Sequence, residues 1–184
     1  MSLRAIWIDF LFNCATGTKK VRTLLTPVGV VIFGLFMISF VVLAKISDKV
    51  FNFPTISNLY GSIPLIFFGF ILTGWSVFHF LKVKGTPVPL NPPPKLVSSG
   101  PYSYARNPML TGIFFIMFGI GLWIGSLSLI MVFTPLFILL NTLELKKIEE
   151  PELEKRLGRT YLEYKQKTPM FIPSFKHYHK DISK

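Results

Sequence analysis

Residues 107–143 read NPMLTGIFFIMFGIGLWIGSLSLIMVFTPLFILLNTL, a run of 37 residues without one formally charged side chain. One straight α-helix of this length would extend about 55 Å, whereas the hydrocarbon core of a bilayer is about 30 Å thick. Gly125 and Ser126 stand in the middle of the run, and both residue types favour turns. The run therefore predicts a helical hairpin whose two membrane crossings lie near Met109–Ile124 and Leu127–Leu143.

Two further uncharged runs precede this hairpin, at Thr23–Ala44 and at Val50–Leu81, and the second is most apolar over Leu59–Leu81. Each is long enough for one crossing, which takes about 20 helical residues. Together with the hairpin they predict an all-α fold, an integral-membrane bundle of about four transmembrane helices.

The arm at residues 1–22 contains a shorter apolar segment, Ala5–Ala15. This segment is too short to cross a bilayer, so we predict an interfacial helix, with a partial fifth membrane segment as the alternative. No internal repeat divides the sequence, and residues 1–184 are interpreted as a single domain.

The basic charge is distributed unevenly, with 20 Lys and Arg against 9 Asp and Glu and a net charge of +11. The N-terminal arm, first loop, central loop, hairpin turn and tail contain 4, 2, 4, 0 and 10 basic residues. Because positive loops stay on the cytoplasmic side, both termini, the central loop and a C-terminal helix are predicted to be cytoplasmic. With 51% hydrophobic residues, this charge favours an anionic lipid bilayer over nucleic acid as the partner.

Common catalytic and metal-binding patterns are missing from the sequence. The single cysteine, Cys14, excludes an intramolecular disulfide framework and a cysteine-based zinc site. No P-loop, G-x-S-x-G or H-E-x-x-H pattern occurs, so no metal site is predicted.

The central loop, Lys82–Asn107, is the first polar stretch within the hydrophobic frame, and it reads KVKGTPVPLNPPPKLVSSGPYSYARN. Asn107 and Pro108 suit the cap and first position of a helix, whose positive end would lie beside Arg106. This arrangement predicts a site for an anion or carboxylate. In the alternative interpretation, three side chains only anchor the loop at the interface: Tyr102, Tyr104 and Arg106.

The second polar stretch, Glu144–Leu153, follows the last predicted crossing. Its helix is predicted to end at Glu150, because the residue before Pro151 is disfavoured in the α conformation. Adjacent acids, Glu149 and Glu150, are unfavourable at a helix C-terminus and so indicate binding of a cation. The alternative is a solvated helix of mixed charge. His79 is either an interfacial histidine or part of a substrate pocket.

The two polar stretches resemble one family. Leu96–Gly112, LVSSGPYSYARNPMLTG, is similar to the L-V-x-x-G-x-Y-x-x-x-R-[HN]-P-x-Y-x-G signature of the isoprenylcysteine carboxyl methyltransferase and phospholipid methyltransferase superfamily. Glu149–Tyr164, E-E-P-E-L-x-x-x-x-G-x-x-Y-x-x-Y, resembles the second motif of that superfamily. The similarity covers Lys82–Pro173, half of the chain.

The resemblance implies an integral-membrane enzyme that uses S-adenosylmethionine, bound on the cytoplasmic side by a cofactor-binding half at residues 82–173. Carried over by motif, the cofactor-binding residues are Lys95, Leu96, Val97, Tyr102, Arg106, Asn107, Pro108, Met109, Leu110, Glu149 and Glu150. Arg106 and Tyr102 are also the candidates for a catalytic role.

The positions proposed for the substrate are His79, Leu145 and Lys146. Leu145 stands where the prenylcysteine enzymes have an arginine near the substrate carboxylate, and Lys146 is the nearest cation. The acceptor therefore stays open among an isoprenoid-linked carboxylate, a phospholipid amine and another lipophilic molecule.

The predicted function is methyl transfer from S-adenosylmethionine to a lipophilic acceptor, which needs mainly proximity, alignment and desolvation. No dedicated general base is predicted, and the acceptor is expected to enter sideways from the bilayer. The alternatives are an enzyme similar to NADPH-dependent sterol reductases and a non-catalytic membrane scaffold. A scaffold would leave Arg106 and Glu149 apart, whereas the enzyme would bring them to one pocket.

Overall fold

The chain forms helices and no strands in the part that the computed structural model describes, residues 3–16, 19–83, 86, 91, 93 and 95–173. The helices are α1 (Leu3–Thr16), α2 (Lys19–Val50), α3 (Leu59–Lys82), α4 (Pro108–Ile124), α5 (Leu129–Leu157) and α6 (Arg159–Lys167). Helices α2, α3 and α5 are long and apolar enough to cross a membrane, and α1 and α4 are shorter apolar helices. The prediction of an all-α membrane bundle is confirmed, whereas the predicted number of four crossings and the orientation stay predictions.

The predicted hairpin is confirmed, with its turn at Gly125. Helix α4 ends at the preceding residue, and Gly125 takes a left-handed conformation with φ of 67°. A side chain at this position would meet Thr55. The Ser126 N–H then donates to the Gly121 carbonyl at 2.9 Å, which closes the turn.

Helix α5 does not end at Glu150, so this prediction from the sequence is wrong. The helix continues past Pro151, which follows a π-helical turn at Leu145–Glu149. A second π turn, Leu129–Phe133, precedes Pro135 in the same way. Proline lacks an N–H group, and its ring clashes with a carbonyl of the preceding helical turn. The wider i→i+5 turn gives that carbonyl more room, so the helix accommodates both prolines.

Helices α3 and α4 pack almost backbone to backbone. A Cβ atom built at Gly69 would lie 2.6 Å from the Gly112 carbonyl oxygen, and one at Gly119 would lie 2.6 Å from the Ile66 side chain. Lipid offers no hydrophobic advantage for bringing helices together, so membrane helices associate through such close contacts of small residues. The two helices therefore form a rigid pair.

Asp48, near the end of α2, fixes that helix to the hairpin turn. Its carboxylate accepts hydrogen bonds from the Ser126 hydroxyl, the Ser128 hydroxyl and, at 2.9 Å, the Ser128 N–H. These donors lie just before α5, where a negative charge complements the positive helix end. Helix α2 is thus anchored at the end of the bundle opposite Arg106.

Helix α1 lies against the outer end of α5. The Lys155 ammonium is 2.8 Å from the Asp9 carboxylate and 4.3 Å from the centroid of the Phe12 ring. Trp7 and Phe10 have exposed rings that meet edge to face. An exposed aromatic edge beside a membrane-length helix is what an interfacial helix requires. Both its position in the interface and its insertion depth stay predictions.

The close packing of α3 on α4 generates a prediction with a control on the same helix. Gly69→Ala places a methyl group against a backbone oxygen that cannot move unless the helices separate, and should destabilise the fold by about 2 kcal/mol. Gly74→Ala meets no atom within 4 Å and should be neutral or slightly stabilising. Thermal unfolding in detergent measures both, and equal melting temperatures for the two variants would contradict the packing argument.

Candidate functional site

A cavity of about 450 Å³ opens at the end of the bundle where α4 begins, a volume typical of small-molecule sites. Its wall comes from α2, the end of α3, the loop before α4, the start of α4, the outer half of α5, and α6. Most side chains that the sequence proposes as site residues line it: Lys95, Leu96, Val97, Tyr102, Arg106, Asn107, Met109, Leu110, Leu145, Glu149 and Glu150. Two polar stretches that the hairpin separates in sequence therefore meet in space.

Three of the proposed residues do not line this cavity. The His79 Nδ1–H donates to the Trp75 carbonyl at 2.9 Å, and the ring lies where a side chain at Gly100 would stand. Pro108 is the buried first residue of α4. Lys146 is exposed and does not line the cavity.

A buried network of charges forms one side of the cavity. The Arg106 Nη1 atom lies 2.6 Å from Glu150 Oε1, with side chains only 12% and 5% exposed. Lys165 reaches Glu150 Oε2 at 2.7 Å and Glu154 Oε1 at 2.8 Å. Burial disfavours the ammonium charge, but the bonds to the two carboxylates outweigh it and raise the pKa of Lys165. Glu150, proposed for the cofactor, is thus already engaged by two cations.

The chain after α6 crosses the start of α4. The Arg106 N–H donates to the Pro169 carbonyl at 2.8 Å, and the Asn107 N–H donates to the Met170 carbonyl at 3.0 Å. The sequence predicts an anion site at this helix end. Two of the nearby N–H groups are instead used to hold the C-terminal segment, so the acidic side chains dominate the polar wall.

A second arginine of the wall is also paired. Arg156 Nε is 2.6 Å from Glu152 Oε1, and its Nη1 group donates to the Pro93 carbonyl at 2.9 Å. This pair is not among the site residues predicted from the sequence, although an acid and an arginine four residues apart on a helix are expected to meet. The pair leaves both arginines of the cavity with a compensated charge.

Three tyrosines close the cavity between the loop and α6. The Tyr164 hydroxyl donates to the Tyr102 carbonyl at 2.7 Å. Burial is the main cause that raises the pKa of Tyr102 and of Tyr161, so both phenols stay protonated. The Tyr102 hydroxyl lies near Ser76, but within the described ranges it makes no hydrogen bond of standard geometry.

Two carboxylates of α5, Glu144 and Glu149, line the cavity. Neither makes an ion pair or a side-chain hydrogen bond with any residue that the structure describes. In an α-helix, residues five apart lie about 140° apart around the axis. The π turn at Leu145–Glu149 reduces this angle and brings both acids to one face. Glu149 is among the site residues predicted from the sequence, and Glu144 is not.

The inner part of the cavity is apolar. Helix α2 contributes Phe33 and Phe36, and α4 contributes Ile113. The two phenylalanine rings lie 6.1 and 5.6 Å from the ring of Phe137, which is completely buried in α5. The cavity therefore has a charged outer end and an aromatic, apolar inner end.

Comparison with known proteins yields one family. A family model described as phospholipid methyltransferase matches residues 57–160, more than half of the chain. The match runs from the residues before α3 through α5 and into α6, and it includes Arg106 and the Glu149–Glu150 pair. No curated protein and no solved structure matches the chain.

The buried ion pair generates a stability prediction. Glu150→Gln removes the charge that compensates Arg106, and an uncompensated buried charge should cost about 3 kcal/mol of folding free energy. Glu163→Gln is the matched control, because its partner Arg159 is 92% exposed and such pairs contribute about 0.5 kcal/mol. Thermal unfolding in detergent compares the two. A Glu150 variant as stable as the control would show that the pair does not hold the site together.

Proposed function

The chain belongs to the phospholipid methyltransferase family, and we propose that it transfers a methyl group from S-adenosylmethionine to a lipophilic acceptor at the cytoplasmic face of a membrane. One observation carries most of this proposal: Arg106 and Glu149, which belong to different motifs, line the same cavity. In a protein that binds no ligand, nothing would favour placing these two side chains around the same enclosed space.

The side chains of the cavity fit the chemistry of S-adenosylmethionine. This cofactor carries an ammonium and a sulfonium group, both positive, together with a carboxylate and an adenine ring. Glu149 supplies a negative charge for the cations, and Lys95 supplies a positive charge for the carboxylate. Leu96, Val97 and Leu110 offer apolar surface for the adenine. When bound, the cofactor supplies a methyl group that is already activated for displacement.

The protein's own contribution is alignment and the exclusion of water. The Arg106–Glu150 pair fixes the start of α4 against α5, so that Glu149 faces the cavity. Phe33 and Phe36 line the apolar end, which suits the hydrocarbon part of an acceptor. We propose that the acceptor enters from the bilayer beside α2 and that the cofactor enters from the cytosol.

The proposed orientation follows from the same geometry. The charged end of the cavity belongs on the cytoplasmic side, where the central loop and the basic tail lie by the positive-inside rule. The hairpin turn, held by Asp48, then lies on the opposite side. In this proposal residues 1–184 act as one domain, α1 lies in the interface, and residues 82–173 hold the cofactor.

The charges of the cavity disfavour the reductase alternative. NADPH carries phosphate groups, which bind best to unpaired arginine or lysine side chains. Arg106 and Arg156 are each compensated by a carboxylate at 2.6 Å, which leaves Lys95 as the one cation of the described cavity wall without an ion pair. The acids Glu144 and Glu149 add negative charge to the same wall. A cationic cofactor is therefore the better match.

Calorimetric titration of S-adenosylmethionine into the detergent-purified protein tests the cofactor site. We expect micromolar affinity, and we expect Glu149→Gln to weaken it at least tenfold, because about 1.4 kcal/mol of charge attraction is lost. Glu163→Gln makes the same substitution at an exposed residue of α6, so this control variant should bind S-adenosylmethionine like the wild type.

The opposite result has a clear meaning. A folded wild type that does not bind S-adenosylmethionine would refute the methyltransferase proposal. Equal affinity in the wild type and Glu149→Gln would refute the assignment of Glu149 as the residue that binds the cofactor cation.

A further inference from the structure

The central loop between α3 and α4 contains a stretch that cannot fix its own backbone. Residues 92–94 are three consecutive prolines, and proline has no N–H group to donate. Pro93 is nevertheless buried, and it lines the cavity. Because a buried carbonyl needs a hydrogen-bond donor, the Pro93 carbonyl must receive one from another part of the protein.

Arg156 of α5 supplies this donor. Its Nη1 group donates to the Pro93 carbonyl at 2.9 Å. Its Nε and Nη2 groups donate to the two carboxylate oxygens of Glu152 at 2.6 and 3.3 Å. Because the guanidinium group is planar, the two bonds to Glu152 fix the direction in which Nη1 points. Arg156 therefore joins the loop to α5 in one defined geometry.

Lys95 lies between two fixed points of this loop. On its C-terminal side, Leu96 packs against the two buried tyrosines of α6. On its N-terminal side, Pro93 is held by Arg156. The Cα atoms of residues two apart are separated by at most about 7 Å, so the bond to Pro93 restricts where the Lys95 backbone can lie.

Lys95 also carries a charge that the rest of the wall does not offer. Arg106 and Arg156 have carboxylate partners, whereas Lys95 makes no ion pair with the residues that the structure describes. A lysine side chain is long and flexible, and holding its ammonium group in one place costs conformational entropy. A fixed backbone at Lys95 reduces the range of positions that the ammonium group can take.

We propose that Arg156 is a positioning residue, which holds the loop through the Pro93 carbonyl so that the Lys95 ammonium reaches the carboxylate of the bound cofactor. The proposal rests on the proposed function, which assigns that carboxylate to Lys95, and adds the residue that keeps Lys95 in place. Arg156 itself lines the cavity. Its N–H groups are engaged by Glu152 and Pro93, so its contribution to cofactor binding is indirect.

Arg156→Lys separates the charge of this residue from its shape. An ammonium group can still pair with Glu152, but it cannot hold the carboxylate and the Pro93 carbonyl in one fixed plane. Calorimetric titration compares S-adenosylmethionine with decarboxylated S-adenosylmethionine, which keeps both cationic groups. We expect Arg156→Lys to bind S-adenosylmethionine at least about fivefold more weakly, and the decarboxylated compound within about twofold of the wild type.

Arg159→Lys is the matched control, because it makes the same substitution at a residue whose side chain is 92% exposed. Both affinities should stay at the wild-type values in this variant. Melting temperatures establish that each variant is folded. A general loosening of the site would weaken the binding of both ligands alike, and that result in Arg156→Lys would overturn the positioning role.

A double-mutant cycle with Lys95→Ala distinguishes an indirect from a direct role of Arg156. If Arg156 acts through Lys95, Arg156→Lys should weaken S-adenosylmethionine binding by at most about twofold once Lys95 is already alanine. Equal losses with and without the Lys95 side chain would show that the two residues act independently, and would overturn the proposal.

The position of the loop can be measured without any cofactor. Spin labels are attached to Lys95→Cys and to Gln166→Cys, an exposed position of α6, in a Cys14→Ser background. Pulsed electron paramagnetic resonance then records the distance between the labels. We expect one narrow distance distribution, which Arg156→Lys broadens and Arg159→Lys leaves unchanged. An unchanged distribution in Arg156→Lys would contradict the fixing of the loop by this residue.

The failure of this proposal and the failure of the proposed function give different results. A folded wild type that binds neither S-adenosylmethionine nor the decarboxylated compound would refute the proposed function, and with it the role of Lys95. Normal binding by the wild type, with the same preference between the two ligands in Arg156→Lys, would overturn only the role of Arg156.

Discussion

The buried ion pair between Arg106 and Glu150 is the interaction on which the rest of the site depends. A guanidinium group that is 12% exposed is tolerated only with a partner charge, so the start of α4 must meet the outer half of α5. Lys165 contacts the second carboxylate oxygen of Glu150 and so holds α6 against α5. The N–H group of Arg106 binds the carbonyl of Pro169, which brings the C-terminal segment back across α4. The cavity is the space that these contacts enclose.

The two ends of the bundle are held by different physical means. Toward the hairpin end, Gly119 lets α4 approach α3 closely at Ser62 and Ile66, and Asp48 fixes α2 through serine donors. Contacts between α2 and α5 concentrate at the π turn Leu129–Phe133 in this region. Toward the other end, Phe33 of α2 lines open space instead of filling it. Anchoring α2 near the hairpin therefore leaves room for a lipophilic molecule near the charged end.

The sequence was sufficient for the parts that depend on composition and local turns. Uncharged runs predicted the membrane-length helices, and Gly125 predicted the hairpin turn. The two motifs, recognised by their resemblance to a family, also predicted most of the residues that line the same cavity. The continuation of α5 past Pro151 could not be predicted, since a single proline argues for a helix end and only the π turn removes the clash. The same π turn brought Glu144 to the face of Glu149, which α-helical counting places on different sides.

Placing two acids on this face of α5 costs folding free energy unless the acids bind a ligand. Carboxylates in a partly apolar cavity without partners oppose folding, and they also repel each other. The cofactor proposed above carries a sulfonium and an ammonium group, both positive. Two acids spaced by one π turn, Glu144 and Glu149, place carboxyl groups at two levels of the cavity, where such cations would be attracted. A bound cation would in turn reduce the repulsion between the acids, so the arrangement is least unfavourable when the site is occupied.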